Sequence, residues 1–299
     1  MRRKQAGSGA ISLALCAGLV AASAVILFGC AKPDDRPSST SAVTVKGSDT
    51  MVHLVSDWAE SFMEESPETN ISVTGGGSGT GIAALINGTT DICMSSRDMS
   101  AEEKAQAQSK GITPSETLVA RDGIAVVVNP ANPVNELSME QVGKIFVGAT
   151  PNWSAVGGPD RGIILLSRES SSGTYVFFQE HVLKKKDYAA STRLLPATSG
   201  IIQAVAEDQA AIGYVGLGYA IEAGERVKTL AIRADDASPA IVPSENTVLD
   251  GTYPISRPLF LYTGQRPSDG AQAFVSFCLS VKGQTIVREA GYVPVAATP

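Results

Sequence analysis

From residue 43 onward, short apolar runs alternate with segments whose apolar residues recur every three or four positions, and polar loops rich in Gly, Ser and Thr divide them. Val43-Thr44-Val45 reads as a strand, and Met51, Leu54, Val55, Trp58 and Phe62 then fall at helical spacing until Glu64-Glu65-Ser66-Pro67 ends the helix. Ile71-Ser72-Val73 predicts a second strand, with a short helix from Ile82 to Asn87-Gly88 after its loop. Ile92-Cys93-Met94 predicts a third, followed by a helix that starts at Ser100 with Glu103 placed for a capping box. Leu118-Val119-Ala120 and Ile124 to Val128 read as two strand runs joined through Asp122-Gly123.

The second half continues the alternation. A helix is expected over Ser138 to Phe146 with Gln141 completing a capping box, then a buried strand over Gly162 to Leu166 and a helix carrying Tyr175, Val176, Phe177, Phe178 and Val182. A helix near Gly200 to Glu207 and strands over Ala211 to Val215 and Val227 to Ile232 follow, with Gly213 to Tyr219 read as a tight strand–turn and Asp235 to Gly251 as loop. Arg257 to Tyr262 predicts a returning strand, and two helices, near Gly270 to Leu279 and Gln284 to Ala290, close the chain. Strands alternating with helices give an α/β class. The crossing near Asp122 and the return near Arg257 predict two domains: one from 43–123 plus 253–299, the other from 124–252.

Four of the loops share one composition. They are Gly47-Ser48-Asp49-Thr50, Gly75-Gly76-Gly77-Ser78-Gly79-Thr80-Gly81, Ser95-Ser96-Arg97-Asp98-Met99 and Arg168-Glu169-Ser170-Ser171-Ser172-Gly173-Thr174. Each follows a predicted strand and precedes a predicted helix, and ligands of open α/β sheets bind beyond the carboxyl ends of the strands. A helix N-terminus offers unpaired N–H donors and a partial positive charge, so it favours anions. Arg168 adds a planar fork of donors suited to an oxyanion. An ordinary Ser/Thr helix cap explains any one loop; four of them converging would form a cup of hydroxyls, N–H groups and two guanidiniums. The glycine loop has no Lys in the nucleotide P-loop position.

The first residues do not belong to this pattern. Arg2, Arg3 and Lys4 precede an apolar stretch from Ala10 to Phe28, which predicts a secretory signal over 1–29. Leu27-Phe28-Gly29-Cys30 resembles a bacterial lipoprotein box with Cys30 as the lipidated residue, and 30–42, rich in Pro, Ser and Asp, suits a tether. Loss of the leader removes three positive charges and no acids, taking the formal charge from −6 to −9. So acidic a chain is a poor candidate for a nucleic-acid partner and requires any anion site to work through local donors. Cys93 and Cys278 lie in apolar runs and read as buried free thiols. His53 and His181 sit on predicted helices, no spacing suggests a metal site, and neither a catalytic residue nor a cofactor is expected. Lys184-Lys185-Lys186 reads as a solvated helix end.

With these loops in order, the chain resembles the phosphate-binding proteins of bacterial ABC transporters from about Thr44 to Val295, including Asp122-Gly123 and the run to Asn129. The resemblance implies a two-domain periplasmic-binding-protein clamshell with mixed sheets and a dehydrated anion in the interdomain cleft. It implies a monomer that takes inorganic phosphate outside the cytoplasmic membrane, anchored at the cell envelope by lipid, and delivers it to the permease subunits. It implies ligand contacts from Thr50, Ser78, Arg168, Ser172, Gly173 and Thr174; Ser48, Gly79, Thr80, Ser96 and Arg97 complete the expected site from the same loops. The same fold holding sulfate is the nearer alternative, and a phosphatase-like enzyme the distant one.

Where the best-described branch of that family has an Asp that accepts the phosphate proton, this chain has Ser96. Asp122, Asp49 and Glu169 are the candidate replacements, and Asp122 is chosen because Gly123 lets the backbone approach the cleft floor. The alternative for Asp122 is a turn formed with Gly123. The leader carries its own prediction: Cys30→Ala is expected to abolish lipid attachment, read as loss of the lipid mass and of membrane association. A parent protein without lipid would refute the assignment.

Overall fold

The computed structural model describes residues 41–295; the expected leader, Cys30 and most of the tether lie outside them. Twelve strands are formed: β1 Ser41–Gly47, β2 Thr69–Thr74, β3 Ile92–Ser95, β4 Ser115–Val128, β5 Glu136–Ser138, β6 Ile164–Arg168, β7 Arg193–Leu195, β8 Ala211–Gly216, β9 Lys228–Thr229, β10 Ala231–Arg233, β11 Ala240–Ile241 and β12 Ser256–Thr263. Nine of them make one mixed sheet in the order β2-β1-β3-β12-β4-β8-β6-β7, with β9 also on β4, and β11-β10-β5 form a small second sheet.

Strand β4 joins the two halves. Its residues Ser115 to Gly123 pair antiparallel with β12, and Ile124 to Val128 pair with β8. The change of partner falls at Asp122-Gly123, where the sequence suggests a turn. No turn forms there, because Asp122 lies opposite Arg257 in the β4–β12 register and its carboxylate bonds Arg257 and the Leu217 N–H. The apolar side chains divide at the same place. One core gathers Val43, Trp58, Ile92, Ala120, Leu259 and Phe274, and another gathers Ile124, Phe146, Trp153, Phe178, Tyr214 and Ile255. Both buried indoles satisfy their N–H groups, Trp58 on the Gly283 carbonyl at 2.7 Å and Trp153 on the Ala210 carbonyl at 2.9 Å. Cys93 and Cys278 are buried free thiols, and burial pushes the thiol pKa of both upward.

Both predicted capping boxes form, at Ser100/Glu103 and at Ser138/Gln141. Four expectations change. Helix Ser78–Ile86 starts four residues before Ile82, so Ser78, Gly79 and Thr80 occupy its first turn. The expected turn around Gly216 is the end of β8 followed directly by helix Leu217–Ala223. The run from Val227 to Ile232 splits at Leu230, where β9 leaves β4 and β10 joins β5. The segment read as loop holds β11 and a short helix, Glu245–Leu249, closed by a Ser244/Thr247 box in which Thr replaces the usual acid.

Helix Ser78–Ile86 is fixed against the sheet by a close approach at Gly81. A Cβ there would stand 2.4 Å from the Lys46 carbonyl oxygen and 2.5 Å from Gly47 Cα, both backbone atoms that cannot yield like a side chain. Gly81→Ala is expected to cost about 1–3 kcal/mol through overpacking, read in denaturant titrations. A variant as stable as its parent would show that the helix can slide.

Candidate functional site

The four loops converge. Ser48 and Thr50 follow β1, Ser96 follows β3, Ser78 opens helix Ser78–Ile86, and Arg168 ends β6 with Ser172 capping helix Gly173–His181. Ser48, Thr50, Ser78, Ser96, Ser172 and Thr174 are all buried. Within the first half, Ser48 donates to the Ser96 hydroxyl at 2.9 Å, the Ser78 and Ser96 hydroxyls lie 3.2 Å apart, and the Ser96 N–H donates to the Ser78 Oγ at 3.0 Å.

The second half closes onto this set. The Thr50 and Thr174 hydroxyls meet at 2.9 Å, and the Gly79 N–H donates to the Ser171 carbonyl at 3.0 Å. At Gly173 a Cβ would lie 2.3 Å from the Ser78 Oγ and 2.7 Å from the Ser96 Oγ, so only glycine lets this helix start reach the opposing hydroxyls. Two nine-residue helices thus bring their N-termini to one hydroxyl cluster from opposite sides.

Arg168 is 2 % exposed and crosses between the halves. Its Nη1 donates to Asp49 Oδ2 at 3.0 Å and to Thr198 Oγ1 at 2.6 Å, its Nη2 to the Pro196 carbonyl and its Nε to the Leu195 carbonyl. Asp49 Oδ2 also accepts from the Thr198 N–H at 2.8 Å, so the aspartate bridges both. Burial lowers the Arg168 pKa from its usual value, and Asp49 opposes that shift. Asp49 is therefore the partner of Arg168, rather than a side-chain cap of the first helix or a free acceptor.

A second buried arginine completes the cluster. Arg257 lies on β12 with Asp122 opposite, and both side chains are fully buried. Its Nε and Nη2 donate to Asp122 Oδ2 at 3.1 and 2.9 Å, and the Leu217 N–H donates to Oδ1 at 3.0 Å. The remaining guanidinium donors reach the Ser96 carbonyl at 3.2 Å, the Thr174 hydroxyl at 3.0 Å and the Thr50 hydroxyl at 3.3 Å. Burial raises the Asp122 carboxyl pKa, and Arg257 pulls against that shift. Asp122 is thus committed to Arg257 and to the backbone, in contrast to the proton acceptor on the cleft floor expected from the sequence.

Two other expected residues stand apart. Thr80 turns away from the cluster and donates to the Gly76 carbonyl at 2.8 Å. Arg97 grips Glu103 through both terminal nitrogens at 2.8 and 2.7 Å and donates to the Asp98 carbonyl. Burial opposes ionisation of Glu103, but bonds from Arg97 and the Ser100 N–H outweigh it and lower its carboxyl pKa. Sequence reasoning left Arg257 out of the site and considered Asp49 only as a proton acceptor, not as the partner of Arg168. The signal for Arg257 is that it opens an otherwise apolar strand run through Leu259, Phe260 and Leu261.

A mixed-sheet α/β fold closing two hydroxyl-lined halves around helix N-termini and guanidiniums defines a solute-binding protein. A family model described as a PBP superfamily domain matches residues 34–282. The chain is 33% identical over 307 residues to the phosphate-binding protein PstS of Pseudomonas aeruginosa, an alignment covering 95% of this chain and 93% of that one. It is 35% identical to PstS of Staphylococcus haemolyticus over 83% of this chain and 79% of that one. Its fold is similar to the crystal structure of a phosphate ABC transporter substrate-binding protein with bound phosphate from Clostridium perfringens, with a TM-score of 0.77, 30% identity, and coverage of 85% of this chain and 100% of that one. The chain belongs to the PstS-type phosphate-binding proteins of the PBP superfamily.

The Asp49–Arg168 bridge generates a prediction. Asp49→Ala leaves a buried guanidinium without its counter-charge, which costs about 3–5 kcal/mol when both partners are buried. Because the Asp49 side chain is 20% exposed, the expected loss is smaller, about 2 kcal/mol, in denaturant titrations. Small-angle scattering should also give a larger radius of gyration than the parent's, since the bridge joins the two halves.

Proposed function

We propose that this chain binds inorganic phosphate in the cleft, outside the cytoplasmic membrane, and delivers it to an ABC importer. One observation carries the reading: six buried Ser and Thr side chains, two helix N-termini and two paired arginines meet where the two halves close. Ser48, Thr50, Ser78, the Gly79 N–H, Ser96, Arg168, Ser172, Gly173 and Thr174 are assigned to the ligand. Hydroxyls suit phosphate because each can donate to an ionised oxygen or accept from a protonated one. With the Asp122 and Asp49 carboxylates each tied to an arginine, a hydroxyl accepts the hydrogen bond from the protonated phosphate oxygen. The halves 43–123 plus 253–299 and 124–252 are assigned as the closing domains.

Attachment through a lipid on Cys30, a monomeric state and docking to the permease subunits complete this reading. The protein holds its ligand without transforming it. The decisive experiment is calorimetry with phosphate, sulfate and a chromogenic phosphoester, together with native mass spectrometry of the purified chain. The expected outcome is one phosphate per chain, weaker sulfate binding and no ester turnover. Because a hydroxyl can rotate to donate to sulfate, discrimination should be poorer than a fixed carboxylate provides, where an unpaired buried group costs about 1–3 kcal/mol. Sulfate binding tighter than phosphate would overturn the choice of ligand, and ester turnover would overturn the receptor reading.

A further inference from the structure

Arg257 has more reach than a cross-strand ion pair requires. Opposite charges facing each other on antiparallel strands are an ordinary means of stabilising a sheet, and Arg257 opposite Asp122 satisfies that description. Two bonds to one carboxylate oxygen would complete such a pair. Instead the guanidinium also donates to the Thr50 hydroxyl, on the loop after β1, and to the Thr174 hydroxyl, on the helix from the opposing half. Those hydroxyls are themselves 2.9 Å apart, so two guanidinium nitrogens and two hydroxyls border one point between the halves.

Resting on the phosphate reading, we propose that Arg257, oriented by Asp122, is a ligand-binding guanidinium that donates to the oxyanion where the Thr50 and Thr174 hydroxyls meet. An anion oxygen entering that contact accepts from both hydroxyls and from Nη1 and Nη2. Arg257 then exchanges two bonds to neutral hydroxyls for bonds to an ionised oxygen, in which both partners are charged. Arg168 is placed differently: three of its bonds go to Leu195, Pro196 and Thr198 in its own half and one to Asp49 across the contact, so most of its donors are already committed to protein partners. Asp122 is a positioning residue. It fixes the plane of the fork through Nε and Nη2 and is itself fixed by the Leu217 N–H.

The test uses the full chain with Arg257→Met, Arg257→Lys and Asp122→Asn, titrated with inorganic phosphate by calorimetry and unfolded by denaturant without ligand. Loss of a buried charged donor predicts that Arg257→Met weakens phosphate at least about thirty-fold. Arg257→Lys, which keeps the charge but loses the fork, should recover part of that loss. Asp122→Asn should also weaken phosphate, whereas a proton-accepting Asp122 would keep phosphate affinity and admit sulfate. A charge acting on the ligand has one more signature. The ratio of affinity above to affinity below the second ionisation of phosphate should be lower in Arg257→Met than in the parent, which a purely structural residue would not alter.

A folded Arg257→Met of lowered stability but parental phosphate affinity would overturn the inference. If that variant does not fold, Arg257→Lys decides: parental affinity and parental pH dependence overturn the role, and weakened binding supports it. A parent that binds sulfate in place of phosphate would end the phosphate reading alone, and the same variants titrated with sulfate would still test Arg257.

Discussion

Two arginines are buried where the halves of this protein meet, and neither could remain there without its aspartate. Withdrawing a charge from water costs several kcal/mol even after relaxation, and only a partner with good geometry and further hydrogen bonds recovers it. Asp122 meets that condition for Arg257 by accepting twice on one oxygen while the Leu217 N–H occupies the other. Asp49 meets it for Arg168 with help from Thr198 and two backbone carbonyls. Such pairs add little net stability over apolar residues of similar size. The proposed phosphate site supplies a reason for their presence at this contact, with both cores built of ordinary aliphatic and aromatic side chains.

The sheet puts the pairs in place. Asp122 is the point at which β4 exchanges β12 for β8, and Arg257 enters from β12 directly opposite. The same two strands connect the halves, so the charge pair sits on the connection itself. Strands β1 and β3 run parallel and β6 lies beyond β8, which aims the loops holding Ser48, Thr50, Ser96 and Arg168 at the one region. Gly81 and Gly173 then set how closely the two helix starts approach: one packs on the sheet backbone, the other on the opposing hydroxyls.

The four loops were legible in the sequence because each combines a short apolar run, a cluster of Ser, Thr and Gly, and a helical period. Sequence spacing could not say which charges pair. Asp122 and Arg257 are 135 residues apart, and a carboxylate before glycine looks the same whether it shapes a turn, faces a ligand or holds an arginine. Arg97 shows the converse. It was placed in the site with its loop, but Glu103, in the first turn of the following helix, takes both its terminal nitrogens. Thr80 was counted with its loop, whereas the early start of helix Ser78–Ile86 points its hydroxyl back to Gly76. The split of the run at Leu230 was hidden for a similar reason: two short strands on different sheets give the same apolar pattern as one.

With each arginine already matched by a carboxylate, the cleft holds little net charge to offer a phosphate. What it offers is direction: N–H groups, hydroxyls and guanidinium edges held by their own partners among buried side chains. Those donors are divided between the halves, with Ser48, Thr50, Ser78 and Ser96 on one and Ser172, Gly173 and Thr174 on the other. Separating the halves breaks the Thr50–Thr174 and Gly79–Ser171 contacts and leaves either set alone. An anion held by fixed dipoles from two sides is held well only while both sides are present. A site relying on unmatched buried charge would keep much of its attraction after opening. On the proposed reading, matching the charges and splitting the donors would make release a consequence of domain opening, as a receptor that must surrender its ligand to a transporter requires.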